Sequence, residues 1–196
     1  MGQGDNKKVC SVLWSGGLDS TLMILDLLRN DYKVRALQIT SESFLGSSME
    51  KKRTGLIEPF LKNIGDFSYQ ITHQDICCRE TFTLPQAPIL LLNLSLFANS
   101  NDEFCSIGYV MNDDAISFIP EITKIWKSYK QLKPNLPPLK FPLMKRKKRE
   151  LINYMRTECM EIYNLCWYCE NPKEETPCLV CPSCIRHINT EKECVE

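Results

Sequence analysis

Net charge is what this sequence lacks. Its 24 lysines and arginines are matched by 24 aspartates and glutamates over 196 residues. Bulk electrostatics therefore give no reason to expect nucleic-acid or acidic-membrane binding, and only a local patch could supply one. Long apolar runs are missing too. The longest, residues 89–92 resuming at 94, has the length of a core helix rather than a membrane span. The N-terminus shows no charged-then-apolar leader, so the chain is expected to be cytoplasmic, without a membrane partner. Asn-Gly and Asp-Gly hairpin turns are absent, as are internal repeats and low-complexity segments. No G-x-x-x-x-G-K-[ST] occurs, which excludes the common P-loop. Eleven cysteines without a secretory signal point to reduced thiols or a metal rather than disulfides. The length suits one domain plus an appendage, burying roughly 70% of its unfolded surface.

What is present is organised around residues 9–20, V-C-S-V-L-W-S-G-G-L-D-S. An apolar run breaks into Ser15-Gly16-Gly17, and a helical pattern opens at Asp19 and Ser20. Two adjacent glycines allow a sharp turn and close approach of a ligand to the backbone. The unpaired N–H groups of the helix's first turn favour an anion, and Ser15, Ser20 and Thr21 add hydroxyls. The stretch from Ser15 through Leu18 to Thr21 is thus a candidate phosphate site, the plain alternative being a capped strand-to-helix turn.

Along the chain, Leu22, Leu25 and Leu28 continue that helix, and 33–40 alternates as a second strand. Residues 41–50 read as a loop; Leu56, Ile57, Phe60, Leu61 and Ile64 form an amphipathic helix stopped by Gly65. A third strand spans 67–72, followed by His73, Gln74 and Asp75 where open α/β sheets place ligands; His73 itself is expected to pack in a loop. An apolar helix over 86–98 leads to a fourth strand over 103–109. Asn112, Asp113 and Asp114 follow as helix caps or as holders of a metal or substrate. A helix over 116–129 has Pro120 in its first turns, residues 133–142 carry four prolines as an extended connector, and a last helix spans about 147–158. Alternating strands and helices predict a parallel, doubly wound sheet, with the glycine turn near the switch point of strand order.

Two clusters remain. The tail places cysteines at 166, 169, 178, 181 and 184, and C-x-x-C elements let sulfurs converge on a tetrahedral zinc. Spacing leaves two choices open: Cys166, Cys169, Cys178 and Cys181, or Cys169, Cys178, Cys181 and Cys184; an iron–sulfur centre is the main rival. Lys145-Arg146-Lys147-Lys148-Arg149 lies where a helix begins, the end that disfavours cations. It reads either as a phosphate contact or as a solvated or polyanion-binding face.

S-G-G-L-D-S resembles the pyrophosphate-loop signature of the ATP pyrophosphatases, and the tail resembles that of the 7-cyano-7-deazaguanine synthases of the queuosine pathway. The family's T-W-S-C, eight residues, then C-x-x-C-x-x-C corresponds to C-W-Y-C169, eight residues, Cys178, Cys181 and Cys184, which selects Cys169 over Cys166 as the fourth ligand. Weaker agreements are T-F-T-L-P at 81–85, Ile107-Gly108, and P-L-M-K-R-K-K-R-E-L, which singles out Lys148 and Glu150. The resemblance implies a HUP-type α/β domain over 1–160 and a zinc-binding segment over 161–196. It further implies ATP, Mg²⁺ and Zn²⁺ as cofactors, and adenylation of a 7-carboxy-7-deazaguanine-like carboxylate that ammonia converts to an amide and then a nitrile. Asp19 would hold the metal or orient the loop, Lys148 would contact the phosphates or the activated acceptor, and a homodimer is a possible assembly. The sequence departs from the family at T-S-E-S (40–43), at P-Q-A-P (85–88) and near 116–119, all at the sheet's carboxyl edge. The ATP half is thus expected intact and the acceptor half altered. The same chemistry on a DNA or protein acceptor, as in some phages and defence systems, stays open, as do a tRNA-modifying pyrophosphatase and a non-enzymatic ATP- or zinc-binding partner. No nucleophile stands out; Cys77 and Cys78 are candidates by adjacency alone.

Overall fold

The computed structural model describes residues 7–42, 44–74, 86–111 and 113–194. Cys77, Cys78, Asp75, Asn112 and the 81–85 segment lie outside them. Five strands, β1 (Val9–Leu13), β2 (Lys33–Thr40), β3 (Phe67–His73), β4 (Phe104–Ser106) and β5 (Leu139–Lys140), form one sheet in the order β3-β2-β1-β4-β5. Every pairing is parallel. Strand order therefore reverses at β1, the position expected for the glycine turn.

The central strands β1 and β2 are buried along most of their length, on both faces. On one face Cys10, Val12, Val34 and Ala36 pack under α1 (Leu18–Arg29), α2 (Ser47–Ile64), α5 (Lys148–Glu158) and α6 (Met160–Leu165). On the other, Leu13, Leu37, Ile39 and Ile107 pack under α3 (Ala87–Phe97) and α4 (Ile119–Leu132). One buried carboxylate ties the sheet together. Asp102, whose side chain is 2% exposed, pairs with Arg35 at 3.2 Å and accepts from Ser11 Oγ at 2.6 Å and from the Asn99 N–H at 3.0 Å. Removing either charge would strand the other at a cost of about 3–5 kcal/mol.

Four expectations need correction. The loop read over 41–50 becomes helix from Ser47 onward, because Met49 is buried against Trp167 and the cysteine cluster and Ser47 Oγ accepts from the Ser41 N–H at 3.0 Å. The helix read over 116–129 breaks. A 3-10 turn, Asp114–Phe118, precedes α4, which starts with Pro120 in its first positions, where a missing N–H costs nothing. The proline-rich connector contains β5, a two-residue edge strand held by β4. Lastly, α5 is not the last helix. Both α6 and α7 (Pro182–Glu193) follow it, the latter carrying the buried ligand candidate Cys184. Among the described residues no helix is long and apolar enough to cross a membrane.

Candidate functional site

The turn after β1 folds as its glycines dictate. Gly16 takes φ +74°, where a Cβ would also meet the Thr54 side chain at 3.0 Å. Gly17 is the N-cap of α1 and supplies no side-chain cap, so the first-turn N–H groups are left for another acceptor. Ser15 and Ser20 hydroxyls lie 3.2 Å apart across the turn, and Ser15 Oγ accepts from the Gly17 N–H at 3.3 Å. Gly108, just past β4, lets that chain pass against α1: a Cβ there would stand 3.1 Å from the backbone N and Cα of Ser20.

These groups border a cavity of about 460 Å³ at the carboxyl edge of the sheet. Ser15, Gly17, Asp19 and Ser20 line its floor, Leu37, Ile39 and Phe44 one wall, and Ile107, Tyr109 and Asp113 the other. Leu18 and Thr21 face elsewhere. Leu18 is 4% exposed in the core, and Thr21 is fully buried, its hydroxyl accepting from Trp14 Nε1 at 3.0 Å.

Lys148 reaches the turn from the far end of the chain. Met111 N–H donates to Arg146 O at 2.9 Å, laying the segment before α5 beside the strand-end of β4. The Lys148 ammonium then sits 2.6 Å from both Asp19 carboxylate oxygens, with both side chains about one-fifth exposed. The other four basic residues divide three to one. Arg146 pairs with Asp26 at 2.9 Å and lies over the Tyr154 ring, whereas Lys145, Lys147 and Arg149 are exposed.

Asp113 caps the 3-10 turn, accepting from the Ala115 N–H at 3.1 Å, and burial raises its carboxyl above the ordinary range. Arg186 of α7 pairs with Asp114 at 2.7 Å. His73 is exposed at the end of β3 with Nδ1 3.3 Å from Thr40 Oγ1, and it is not among the residues that line the cavity. Sequence reasoning passed over Glu50 and Glu170, which also line the cavity. Burial first, and the neighbouring Glu170 second, push the Glu50 carboxyl up to about 7. Its only sequence signal was an acidic residue in a segment read as loop.

In the tail the sulfurs of Cys169, Cys178, Cys181 and Cys184 all lie within 4.8 Å of one another, and Cys166 is outside the group. The 3.9 Å between the sulfurs of Cys178 and Cys184 matches the edge, about 3.8 Å, of a tetrahedron with zinc–sulfur bonds of about 2.3 Å. Backbone N–H groups support the sulfurs: Cys178 N–H donates to Cys169 Sγ at 3.2 Å, and Cys181 N–H to Cys178 Sγ at 3.3 Å. Leu179 turns through φ +61° between them. The cluster fits zinc. It also abuts the glycine turn, since Trp167 N–H donates to Gly16 O at 3.0 Å and Gly46 and Gly17 leave room for the carbonyls of Cys169 and Trp167.

No protein-family model and no curated protein matches the sequence. Solved structures do match in shape. A 4-thiouridine synthetase in complex with RNA and bound ATP aligns over 96% of this chain and 50% of its own, at 11% identity and a TM-score of 0.61. NMN synthetase from Francisella tularensis aligns over 89% and 71%, at 10% identity and a TM-score of 0.56. The chain shares the parallel α/β fold of these two structures. At these identities the likeness is one of fold, and the chain spans half of the thiouridine synthetase. A predicted subunit of a tRNA methyltransferase from Methanocaldococcus jannaschii aligns more loosely, over 77% of this chain and 74% of its own, at 16% identity and a TM-score of 0.48.

Proposed function

We propose that the protein is an ATP-dependent carbon–nitrogen ligase that adenylates a deazaguanine-type carboxylate, releases pyrophosphate, and lets ammonia displace AMP. The observation that supports it best is the uncapped N-terminus of α1 opening on the cavity floor, with Lys148 fixed beside it. The cavity is of nucleotide size, and a neighbour of the same fold was solved with ATP bound.

In this reading a carboxylate oxygen of the acceptor attacks the α-phosphorus while the α–β bridging oxygen leaves with pyrophosphate. The first-turn N–H groups and the Ser15 and Ser20 hydroxyls face the departing phosphates, and preorganised donors act most where charge develops. Ammonia then attacks the acyl carbon, AMP leaves, and the surplus proton passes to a carboxylate or water. Lys148 offsets the charge of Asp19, so the floor does not repel an incoming polyanion. Bound Mg²⁺ would supply Lewis-acid polarisation of the phosphates, and Asp19 and Asp113, two of the four carboxylates that line this cavity, would hold it.

The test is mass spectrometry after incubation with ATP, Mg²⁺, ammonia and 7-carboxy-7-deazaguanine. AMP, pyrophosphate and an amide or nitrile of the acceptor are expected. ADP and phosphate as first products would refute pyrophosphate-loop chemistry. AMP that forms only when RNA, DNA or a protein acceptor is added would keep the chemistry and change the substrate.

A further inference from the structure

The two edges of the sheet are built differently. β5 is guarded: it is two residues long, carries Lys140, and has Pro137 and Pro138 before it and Pro142 after it. Shortness, lysine and proline are the usual means of keeping an edge strand from pairing. β3 has none of them. It runs seven residues, F-S-Y-Q-I-T-H, with no proline and no acidic residue, lysine or arginine.

Its outer side is open. Val34 N–H donates to Asp66 O at 2.9 Å and Gln74 N–H to Thr40 O at 2.8 Å, both along the β2–β3 ladder. Even positions of β3 therefore turn their backbone groups to β2, and odd positions turn theirs outward. Among the described residues nothing bonds the outward backbone of Phe67, Tyr69 and Ile71. Such a row of N–H and C=O groups is a template for another strand.

Symmetry and charge select the occupant. A two-fold axis through Tyr69, perpendicular to the sheet, brings Phe67 opposite Ile71 of a second copy and Tyr69 opposite its own equivalent. Each outward residue then meets another that faces outward. On the α2 side these pairs are aromatic with aromatic or with β-branched, the kinds that stabilise a ladder. Exposed Ser68 and Gln70 meet on the other face, so no like charges are opposed. A strand pair alone is narrow, and α2 supplies a second layer. It packs across both β2 and β3. With strands about 4.8 Å apart, it would lie about 10 Å from its mate, the spacing of packed helices. Its flank above the edge carries Glu58 and Lys62, paired at 2.6 Å. Burial first and Glu58 second raise the Tyr69 phenol while Lys62 opposes them, so both charges lie near the ring on the axis. Antiparallel helices set Glu58 opposite Lys62 of the second copy, an alternating ring of charges rather than a clash. A strand of another protein would complete the ladder without that match.

We propose that β3 is a dimer interface, at which two copies of the chain join β3 to β3, antiparallel about Tyr69, into one continuous sheet with α2 packed against α2. The two cavities then open at opposite ends of the joint sheet, each lined by one chain.

Sedimentation velocity of the zinc-loaded full chain, from about 1 to 100 µM, should show a species of twice the chain mass. Ile71→Pro removes an outward N–H without breaking a bond to β2, and should give a monomer. Glu58→Lys makes the ring of charges all positive and should weaken the dimer about tenfold or more. Adding Lys62→Glu to Glu58→Lys swaps both charges and should restore it. Zinc content and melting temperature check the fold of each variant, and the charge variants carry the test if Ile71→Pro does not fold. A wild type that stays monomeric throughout would overturn the proposal, as would a dimer indifferent to Glu58→Lys or one not rescued by the double swap. None of these readouts involves ATP, so failure of the ligase reading leaves the interface standing, and a monomer leaves the ligase reading standing.

Discussion

Asp19 and Lys148 stand 129 positions apart in the chain, yet pair at 2.6 Å beside the cavity that Asp19 lines. Each is explained by its helix. A carboxylate is favoured in the first turn of α1, and a cation is disfavoured in the first turn of α5 unless a partner offsets it. Among five consecutive basic residues nothing in the sequence but a register match distinguished Lys148, because position in space decides which cation has work to do. In steady-state kinetics at moderate salt, Lys148→Ala is expected to lower both turnover and catalytic efficiency, and exposed Lys145→Ala to change neither. Equal losses tracking ionic strength would identify a diffuse polyanion patch instead. Glu50 sets a pH dependence. Its carboxyl rises from 4.5 to about 7 in the folded protein, through burial first and Glu170 second. The folded state thus holds this proton to higher pH than the unfolded chain, and stability falls as pH rises between those values. Glu50→Gln should therefore melt higher than wild type at pH 8, by about 5 °C, with the gain vanishing towards pH 5. Thermal melts across that range check it, and a gain independent of pH would rule out the carboxyl as the cause.

At the scale of elements, legibility followed the origin of each element's stability. β2 was read at its observed bounds, because both of its faces are filled by its own alternating side chains. β5 could not be read, since its two residues are a strand only by virtue of β4 beside them. The first turns of α2 were missed for a related reason: what holds Met49 is Trp167, more than a hundred positions away. In α7 the inward positions are taken by Cys184 and half-buried polar residues, so no apolar stripe announced a helix. Helix α1 and the glycine turn were legible, and the resemblance had flagged Ile107-Gly108, but not that Gly108 is the contact surface for α1. Gly108→Ala should cost about 1–3 kcal/mol, because the obstructing atoms are backbone and cannot swing away. It should also displace the first-turn donors and weaken ATP binding beyond what the loss of stability explains. Gly55→Ala, where an added Cβ meets nothing within 4 Å in the middle of α2, is the control and should stabilise by about 0.5–1 kcal/mol. Denaturant melts together with nucleotide titration separate the two effects, and an unaltered ATP affinity in Gly108→Ala would refute the contact.

For the molecule as a whole, the cysteine cluster and the glycine turn form one continuous structure. Trp167 bonds Gly16, the zinc candidates Cys169 and Cys178 share a packed cluster with Met49 of α2, and Arg186 of α7 pairs with Asp114 beside the cavity. A structural zinc would contribute on the order of 10 kcal/mol to the folding of such a segment, and a tail too small for a core of its own would depend on it. Through those contacts a bound metal would also restrain the carbonyl of Gly16 and the start of α2. Removing zinc should consequently be felt at the turn, 150 residues earlier in sequence but in direct contact in space. Cys184→Ser is expected to lose the metal, to retain the helical signal of the α/β body, and to bind ATP about tenfold more weakly, a difference of about 1.4 kcal/mol. Chelation of the wild-type protein should reproduce that loss, and restored zinc should reverse it. Cys166→Ser, whose sulfur is outside the group of four, should keep both metal and nucleotide affinity. Metal analysis paired with nucleotide titration reads both variants and the chelated wild type on one scale. Zinc retained in Cys184→Ser but lost in Cys166→Ser would overturn the ligand set. Complete loss of zinc with unchanged ATP binding would show that the tail is an appendage and that the contact between Trp167 and Gly16 carries no coupling.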